Sequence, residues 1–276
     1  MSVMKIERMD PRSGGVSKLQ FTAAGFSSQG VDRSHNEDCW FISPDVEVMI
    51  VADGVGGHAA GEMASRLAIQ QFVQRVRLGR DRFLDFNPDS DDSTSDATFI
   101  VDCIKDALRS ANDIVAALGE GMSSGGPGTT IVLTVRVGRT LFVASVGDSR
   151  VYCLRDGNLE QLTVDDSWVQ ILVTAGLIKQ EEARTHPKRN IILMALGQDD
   201  FEADAEEVNV VRMKAGDRFL LSTDGVHDAL ARETIEQILA ESRSPKELAT
   251  ELVNRAVNEG SKDDVTCVVL DVAAAT

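Results

Sequence analysis

Acidic residues stand beside apolar, strand-like stretches at separate points of this 276-residue chain. They are Glu37, Asp38, Asp53, Asp148, Asp224 and Asp263. Because Asp-Gly is a common turn pair, each one alone has a plain structural reading. If several strand ends meet at one rim of a sheet, however, their carboxylates repel one another and need a compensating cation. Oxygen ligands without His or Cys favour Mg²⁺ or Mn²⁺, and two such ions would activate water for attack at phosphorus.

Arg33 precedes the pair Glu37 and Asp38 in a segment with few other cations. A lone arginine is commonly a surface salt-bridge partner. Beside a carboxylate-bound metal pair, its planar guanidinium would instead hold a phosphoryl group through two hydrogen bonds. The spacing alone leaves both interpretations open.

The elements that must position these residues follow from the apolar periodicity. Continuous apolar runs predict strands at 46–52, 219–223 and 265–272, and apolar residues at helical spacing predict helices at 62–77, 97–118, 228–240 and 245–258. The acidic, turn-rich stretch 81–96 predicts a solvated loop.

Strand-like runs at 130–137, 141–146 and 150–155 follow one another with very short connections. Parallel strands need longer crossovers, so these runs predict an antiparallel meander, which Asp156 and Gly157 continue as a hairpin turn. Since no repeat and no Pro- or Gly-rich linker divides the chain, we expect one α+β domain after a loose leader at 1–17.

The composition excludes several classes of protein. The formal net charge is −16 and the pI is near 4.6, which disfavours nucleic acid and anionic membrane surfaces as partners. No apolar run is long enough to span a bilayer, and the N-terminus lacks the apolar core of a secretory signal. The four cysteines form no CxxC pair, which suits a reducing, cytoplasmic location.

Six short motifs occur in a fixed order along the chain. They are RSHNED (33–38), VADGVGGHAAGEMAS (51–65), GTT (128–130), VGDSR (146–150), LSTDGV (221–226) and GSKDDVT (260–266). In this order and at these separations they resemble the metal-dependent protein phosphatases of type 2C, in their bacterial single-domain form. The resemblance covers roughly residues 20–272.

The resemblance implies a fold and an activity. The fold would be a four-layer αββα sandwich, with two antiparallel β-sheets flanked by helices, forming a catalytic domain over 18–276 with a flap at about 162–197. The activity would be hydrolysis of phosphoserine or phosphothreonine in proteins, by direct attack of a water that bridges two metal ions. The alternatives are a catalytically inactive phosphoprotein-binding scaffold of the same fold and a phosphatase of small phosphoesters.

The resemblance also implies a ligand set for Mg²⁺ or Mn²⁺. Asp53 would bridge two ions, and the carbonyl oxygen of Gly54 would bind one of them. Asp224 and Asp263 would bind the other ion, and Asp148 would bind a weaker third.

Three further residues complete the implied site. Glu37 and Asp38 would act largely through metal-bound water, and Arg33 would bind the substrate phosphate. The implied partners are phosphorylated proteins, with a Ser/Thr kinase as counterpart. The protein would act as a monomer, without nucleic acid or membrane.

Three positions depart from the family's pattern. Asp264 stands where the family usually has Asn, which adds a negative charge beside a ligand. Asp166 replaces a His that is common in the flap. Val55 occupies the place of a His that can protonate the leaving oxygen in animal members, so we expect water to serve as the acid.

Overall fold

Two antiparallel sheets form the centre of the fold, in a computed structural model that describes residues 19–45, 47–56, 59–83, 93–120 and 126–275. The first sheet contains, in spatial order, β1 (Leu19–Ser28), β11 (Val265–Ala274), β10 (Arg218–Ser222), β7 (Arg150–Arg155) and β8 (Asn158–Gln161). The second contains β2 (Asp38–Ile42), β3 (Val48–Val55), β5 (Ile131–Val137), β6 (Thr140–Val146) and β9 (Val208–Arg212), with the short β4 (Gly128–Thr129) paired to β3.

Eight helices in the described residues lie on the outer faces of the two sheets or in the connections between strands. They are α1 (Ala59–Leu78), α2 (Arg80–Phe83), α3 (Ser93–Leu118), α4 (Trp168–Thr174), α5 (Gln180–Ala183), α6 (Asp224–His227), α7 (Arg232–Leu239) and α8 (Pro245–Asn258). Buried side chains of α1 and α3 pack on the second sheet, and those of α7 and α8 pack on the first.

Alternation along the strands separates the apolar cores. In β3, Ile50 points into the core shared with α1 and α3, whereas Met49 and Val51 point into the core between the two sheets. Successive strand residues face opposite sides, so one apolar run supplies two cores. The resulting layers, helices, sheet, sheet and helices, confirm the expected four-layer α+β sandwich.

Helix α8 begins and ends at the residues that the periodicity predicts. Ser244 caps it by accepting a hydrogen bond from the backbone N–H of Glu247, whose side chain in turn accepts from the N–H of Ser244. Pro245 occupies the first turn, where its missing N–H costs nothing.

The predicted three-strand meander is wrong in one respect. Strands β5 and β6 pair as a hairpin, but β7 pairs with β10 and β8 in the other sheet. Gly147, with φ of +98°, allows the sharp turn by which the chain leaves one sheet for the other. Asp148 therefore lies in the connection between the two sheets rather than in a simple hairpin turn.

The structure also bears on the loop expected at 81–96 and on the leader expected at 1–17. Within the stretch 81–96, helix α2 extends to Phe83 and α3 begins at Ser93, so the expected loop is wrong at both of its ends, and its middle, 84–92, lies outside the described residues. The leader at 1–17 lies outside the described residues. Among the residues that are described, no helix combines the length and apolar character needed to cross a membrane.

Candidate functional site

Strands β2 and β3 bring the first two acids together. Asp38 opens β2 and lies directly opposite Asp53 of β3 in the antiparallel register. Residues opposite each other on neighbouring strands have side chains about 5 Å apart at their bases. Two acids from different motifs therefore meet at one strand end.

The other sheet contributes two more acids to this rim. Asp224 follows β10 as the first residue of α6, and Asp263 lies just before β11. A hydrogen bond crosses between the sheets here, since the Thr223 hydroxyl donates to Asp38 Oδ2 at 3.0 Å. The backbone N–H of Thr266 donates to the same Thr223 hydroxyl at 3.1 Å.

Two threonines thus support the site without having been identified from the sequence. Thr223 and Thr266 are both fully buried, and each stands next to or close to an acid in its motif. Their apolar surroundings made them resemble ordinary strand residues.

Asp148 reaches the rim from the turn between β6 and β7. Its side chain is buried, and burial, with added repulsion from Asp165, raises its pKa to about 7. Arg150 acts in the opposite direction and favours the charged form. Asp228, which sequence analysis did not single out, also repels Asp148, and it pairs with Arg189 at 3.4 Å. Its position shortly after the STDGV motif was the sequence feature that could have identified Asp228.

Gly54 and Glu37 are held by close backbone contacts. The Glu37 carbonyl oxygen accepts hydrogen bonds from the Gly54 N–H at 3.2 Å and from the Ser65 hydroxyl at 2.7 Å. A Cβ at Gly54 would collide with the carbonyl oxygen of Gly61 and approach that of Glu37 to 2.8 Å. This crowding explains why the acid Asp53 is followed by glycine.

Arg33 extends from the loop between β1 and β2 and makes a salt bridge with Asp263. Its side chain is 39% exposed, so the guanidinium lies at the rim and remains accessible from solvent. The structure therefore places Arg33 beside Asp263, an acid of the predicted ligand set, and its binding of phosphate stays a prediction.

Burial and mutual repulsion act together on these acids. Burial raises the pKa of Asp38 to about 7, although hydrogen bonds from Thr266 and Thr223 favour its charged form. Burial also raises the pKa of Asp53 well above its usual value, and repulsion from Asp38 and Asp224 raises it further. The pKa of Asp224 is raised in the same way, by burial first and then by repulsion from Asp148. Such a concentration of buried acids is typical of a cation site.

The unsatisfied oxygens test whether hard cations fit here. Asp38 Oδ1, Asp148 Oδ1 and Asp224 Oδ1 are buried and accept no hydrogen bond from the described residues. Buried carboxylate oxygens without a donor are costly unless a cation compensates them. The donor set of carboxylate and carbonyl oxygens is the one that Mg²⁺ and Mn²⁺ prefer.

The acids converge at the rim but are not yet arranged as a ligand cage. Among the described residues, no three Asp, Glu, His or Cys side chains form a ready-made metal site. Asp263 is engaged by Arg33, and Asp38 Oδ2 by Thr223. The residues present fit divalent cations in their chemistry and burial.

The departures from the family's pattern have defined positions. Asp166 accepts a hydrogen bond from the Gly147 N–H at 2.9 Å, and its carbonyl oxygen accepts from the Leu193 N–H at 2.7 Å. It thereby connects the predicted flap to the turn that carries Asp148. Val55 is 42% exposed at the end of β3 and offers no proton.

The chain is similar in sequence to characterised proteins of one family. The family model described as Protein phosphatase 2C matches residues 28–264. Serine/threonine protein phosphatase PstP of Mycobacterium tuberculosis is 37% identical over 250 residues, which make up 90% of this chain and 44% of PstP. This chain thus spans less than half the length of that relative. Serine/threonine phosphatase stp of Listeria welshimeri is 32% identical over 250 residues, covering 89% of this chain and 93% of stp.

Solved structures give the same result for the fold. The crystal structure of the Mycobacterium tuberculosis phosphatase PstP/Ppp superposes with a TM-score of 0.77 at 36% identity, covering 91% of this chain and 98% of that one. The PstP catalytic domain in complex with 2 manganese ions gives a TM-score of 0.75 at 34% identity, covering 93% of this chain and 100% of that one.

Proposed function

Because the chain belongs to the protein phosphatase 2C family, we propose that it is a metal-dependent protein serine/threonine phosphatase. The observation that carries the proposal is the rim of buried acids, where three carboxylate oxygens lack any donor among the described residues. The relatives named as serine/threonine phosphatases support the substrate class, and the manganese complex of the PstP domain supports Mn²⁺ or Mg²⁺ as cofactor.

The acids of the rim would hold the cations. We assign Asp53 and the Gly54 carbonyl oxygen to one ion, and Asp53, Asp224 and Asp263 to a second. When bound, two divalent cations supply Lewis-acid activation of water and neutralise negative charge on the phosphoryl oxygens.

The remaining residues would complete the site. Glu37 and Asp38 act mainly through ordered solvent, and Asp148 contributes to a weaker third cation position. Arg33 orients the substrate phosphate through its guanidinium, because a planar fork can donate two parallel hydrogen bonds to one phosphoryl group. No acidic position of the expected set is missing, so nothing favours the inactive scaffold over the enzyme.

The cellular context extends the proposal. The substrates would be phosphorylated proteins, and a Ser/Thr kinase would supply them. The protein would act as a cytoplasmic monomer, and its net charge of −16 disfavours binding to nucleic acid or anionic membranes.

Phosphate release from a phosphothreonine peptide tests this function. We expect release to require Mn²⁺ or Mg²⁺, to stop on addition of EDTA, and to exceed release from a sugar phosphate. Full activity in EDTA would refute the metal-dependent mechanism. Tight peptide binding without turnover in Mn²⁺ would instead indicate the scaffold.

Replacing Arg33 separates phosphate binding from catalysis. We expect Arg33→Ala to raise the KM for the phosphopeptide by about 10- to 100-fold, since a hydrogen bond to a charged group contributes about 1.5–3 kcal/mol. The KM of Arg33→Lys should lie between those of the parent and of Arg33→Ala, because lysine keeps the charge without the planar guanidinium. Steady-state kinetics measure both variants.

Arg80→Ala is the matched control for that series. Arg80 is an exposed arginine that pairs with Asp45 and Glu47, away from the acidic rim. Its removal should leave KM within about twofold of the parent value, since surface salt bridges contribute little. An equal rise in KM for both variants would mean that general charge loss, rather than phosphate contact, is responsible.

Metal affinity should increase with pH. Cations bind the ionised carboxylates, and the pKa values of Asp38 and Asp148 are raised to about 7. We therefore expect the apparent Kd for Mn²⁺ to fall by roughly tenfold or more between pH 6 and pH 8, with proton release. Calorimetry in two buffers of different ionisation enthalpy measures both quantities, and a pH-independent Kd would contradict the assignment.

A further inference from the structure

Asp264 links the two ends of the loop that carries Arg33. Its Oδ1 accepts the backbone N–H of Gly30 and its Oδ2 accepts that of Glu37, both at 2.8 Å. The side chain is 2% exposed, so water does not compete for these oxygens. One carboxylate therefore fixes two backbone positions on either side of Arg33.

Further backbone hydrogen bonds hold both ends of this loop. The Arg33 N–H donates to the Gly30 carbonyl oxygen at 3.1 Å, which closes a turn at the first end. At the second end, the Glu37 carbonyl oxygen is held by Gly54 and Ser65. Arg33 thus projects from a loop whose backbone depends on Asp264 at both ends.

The backbone on both sides of Asp264 is closely packed, so it cannot shift together with the loop. A Cβ at Gly30 would lie 2.5 Å from the Asp263 carbonyl oxygen and 2.7 Å from that of Lys262. On the other side, a Cβ at Gly225 would collide with the carbonyl oxygen of Asp264. The segment that contains Asp264 is therefore packed tightly between the Arg33 loop and the turn that carries Asp224.

A carboxylate can make this pair of bonds and an amide cannot. Each oxygen of a carboxylate accepts a hydrogen bond, whereas an amide offers one acceptor oxygen and one donating NH₂ group. With Asn at this position, either the Gly30 or the Glu37 N–H would face another donor. A buried N–H left without an acceptor is destabilising, so the loop would move or loosen.

We propose that Asp264 is a positioning residue, whose two-oxygen clamp on Gly30 and Glu37 holds Arg33 in place for the substrate phosphate. The clamp itself is a feature of the loop, and its effect on phosphate binding rests on the proposed function. Asp264→Asn is the sharpest test, because it keeps the shape of the side chain and removes one acceptor.

Residue-resolved amide hydrogen exchange tests the clamp without any reference to activity. In the parent protein, the amides of Gly30 and Glu37 should both be protected. In Asp264→Asn, one of them should exchange about tenfold faster or more, because its acceptor is gone. Exchange of both parent amides at the rate of an open loop would overturn the clamp, as would unchanged protection in the variant.

Kinetics test what the clamp does. Asp264→Asn should raise the KM for the phosphopeptide by about tenfold and keep kcat within about threefold of the parent value. In an Arg33→Ala background, the same substitution should add almost nothing to KM, because the residue it positions is already absent. If the two substitutions raised KM by independent factors, so that the double variant showed the product of both, the positioning role would be overturned.

A matched control separates positioning from general loss of stability. Asp217 is also a buried carboxylate that accepts a backbone N–H, from Lys214 at 2.7 Å, and it pairs with Arg155. Asp217→Asn should lower the Tm and leave KM unchanged, and a KM rise equal to that of Asp264→Asn would overturn the proposal. If the parent enzyme released no phosphate in Mn²⁺, the proposed function would fail, and amide exchange would still decide the clamp.

Discussion

Asp53→Asn is expected to lower kcat on a phosphothreonine peptide by about a thousandfold or more. Asp53 lies opposite Asp38 in the strand register, and the charges of Asp224 and Asp263 repel its own. It is the acid that we assign to both cations. Loss of a shared ligand removes several kcal/mol of charge stabilisation from the reaction, and about 4 kcal/mol corresponds to a thousandfold in rate.

The same substitution should not destabilise the metal-free fold. Burial and repulsion raise the pKa of Asp53 in the folded state well above the usual value. A carboxyl of this kind favours folding while it is protonated, and that contribution is lost as pH rises from the unfolded pKa through the folded pKa. Above the unfolded pKa, the parent must therefore either retain this proton or bury an unfavourable charge, a cost that neutral Asn lacks. We expect the Tm of the variant in EDTA to equal or exceed that of the parent.

Thermal unfolding and steady-state kinetics check the two halves of this prediction. Asp271→Asn is the control, since Asp271 pairs with Arg218 within the first sheet and belongs to no part of the predicted site. That control should lower Tm slightly and keep kcat. Retention of more than a tenth of the parent kcat by Asp53→Asn would contradict the assignment of Asp53.

Local patterns were sufficient to predict the layers of the fold. In β3 the alternation of Ile50 with Met49 and Val51 reflects burial on both faces, and such a run indicates a central strand. The Ser-Pro start of α8 is a helix signal that depends on neighbours within four residues. Features of this kind are short-range, so the sequence displays them directly.

Partner choice between strands is not a short-range property. The run 150–155 has the same character whether it pairs with β6 or with β10, and its actual partner β10 lies more than sixty residues later. What separates the two outcomes is the turn at Gly147 together with packing across both sheets. This information is spread over the whole chain, which explains why the predicted meander was wrong.

In the candidate site, too, residue types could be predicted from the sequence and long-range contacts could not. The acids at strand ends were visible as residue types, and the structure brings Asp38, Asp53 and Asp224 to one rim. The supporting contacts were not visible, because the Thr223 hydroxyl reaches Asp38 across 185 positions of sequence. Asp264 was visible as a departure, but its purpose depended on two backbone N–H groups more than two hundred residues away.

Gly54→Ala is the other substitution for which we expect a large effect, on both stability and activity. Gly54 lies where β3, α1 and the Glu37 backbone meet, and an added Cβ would collide with the Gly61 carbonyl oxygen. The atoms in the way belong to backbone, so a side-chain rotation cannot relieve the contact. We expect a loss of about 3 kcal/mol in the free energy of unfolding, or a Tm lower by about 10 °C.

Activity should fall with it, because the displaced backbone carries Asp53 and the carbonyl oxygen that we assign to a cation. Gly138→Ala provides the comparison, since Gly138 has φ of +57° and a Cβ added there would meet nothing within 4 Å among the described residues. Strain alone should cost that variant about 1 kcal/mol and leave kcat unchanged. If Gly54→Ala instead resembled Gly138→Ala in Tm and kcat, the tight approach of β3 to α1 would have no part in holding the acids at the rim.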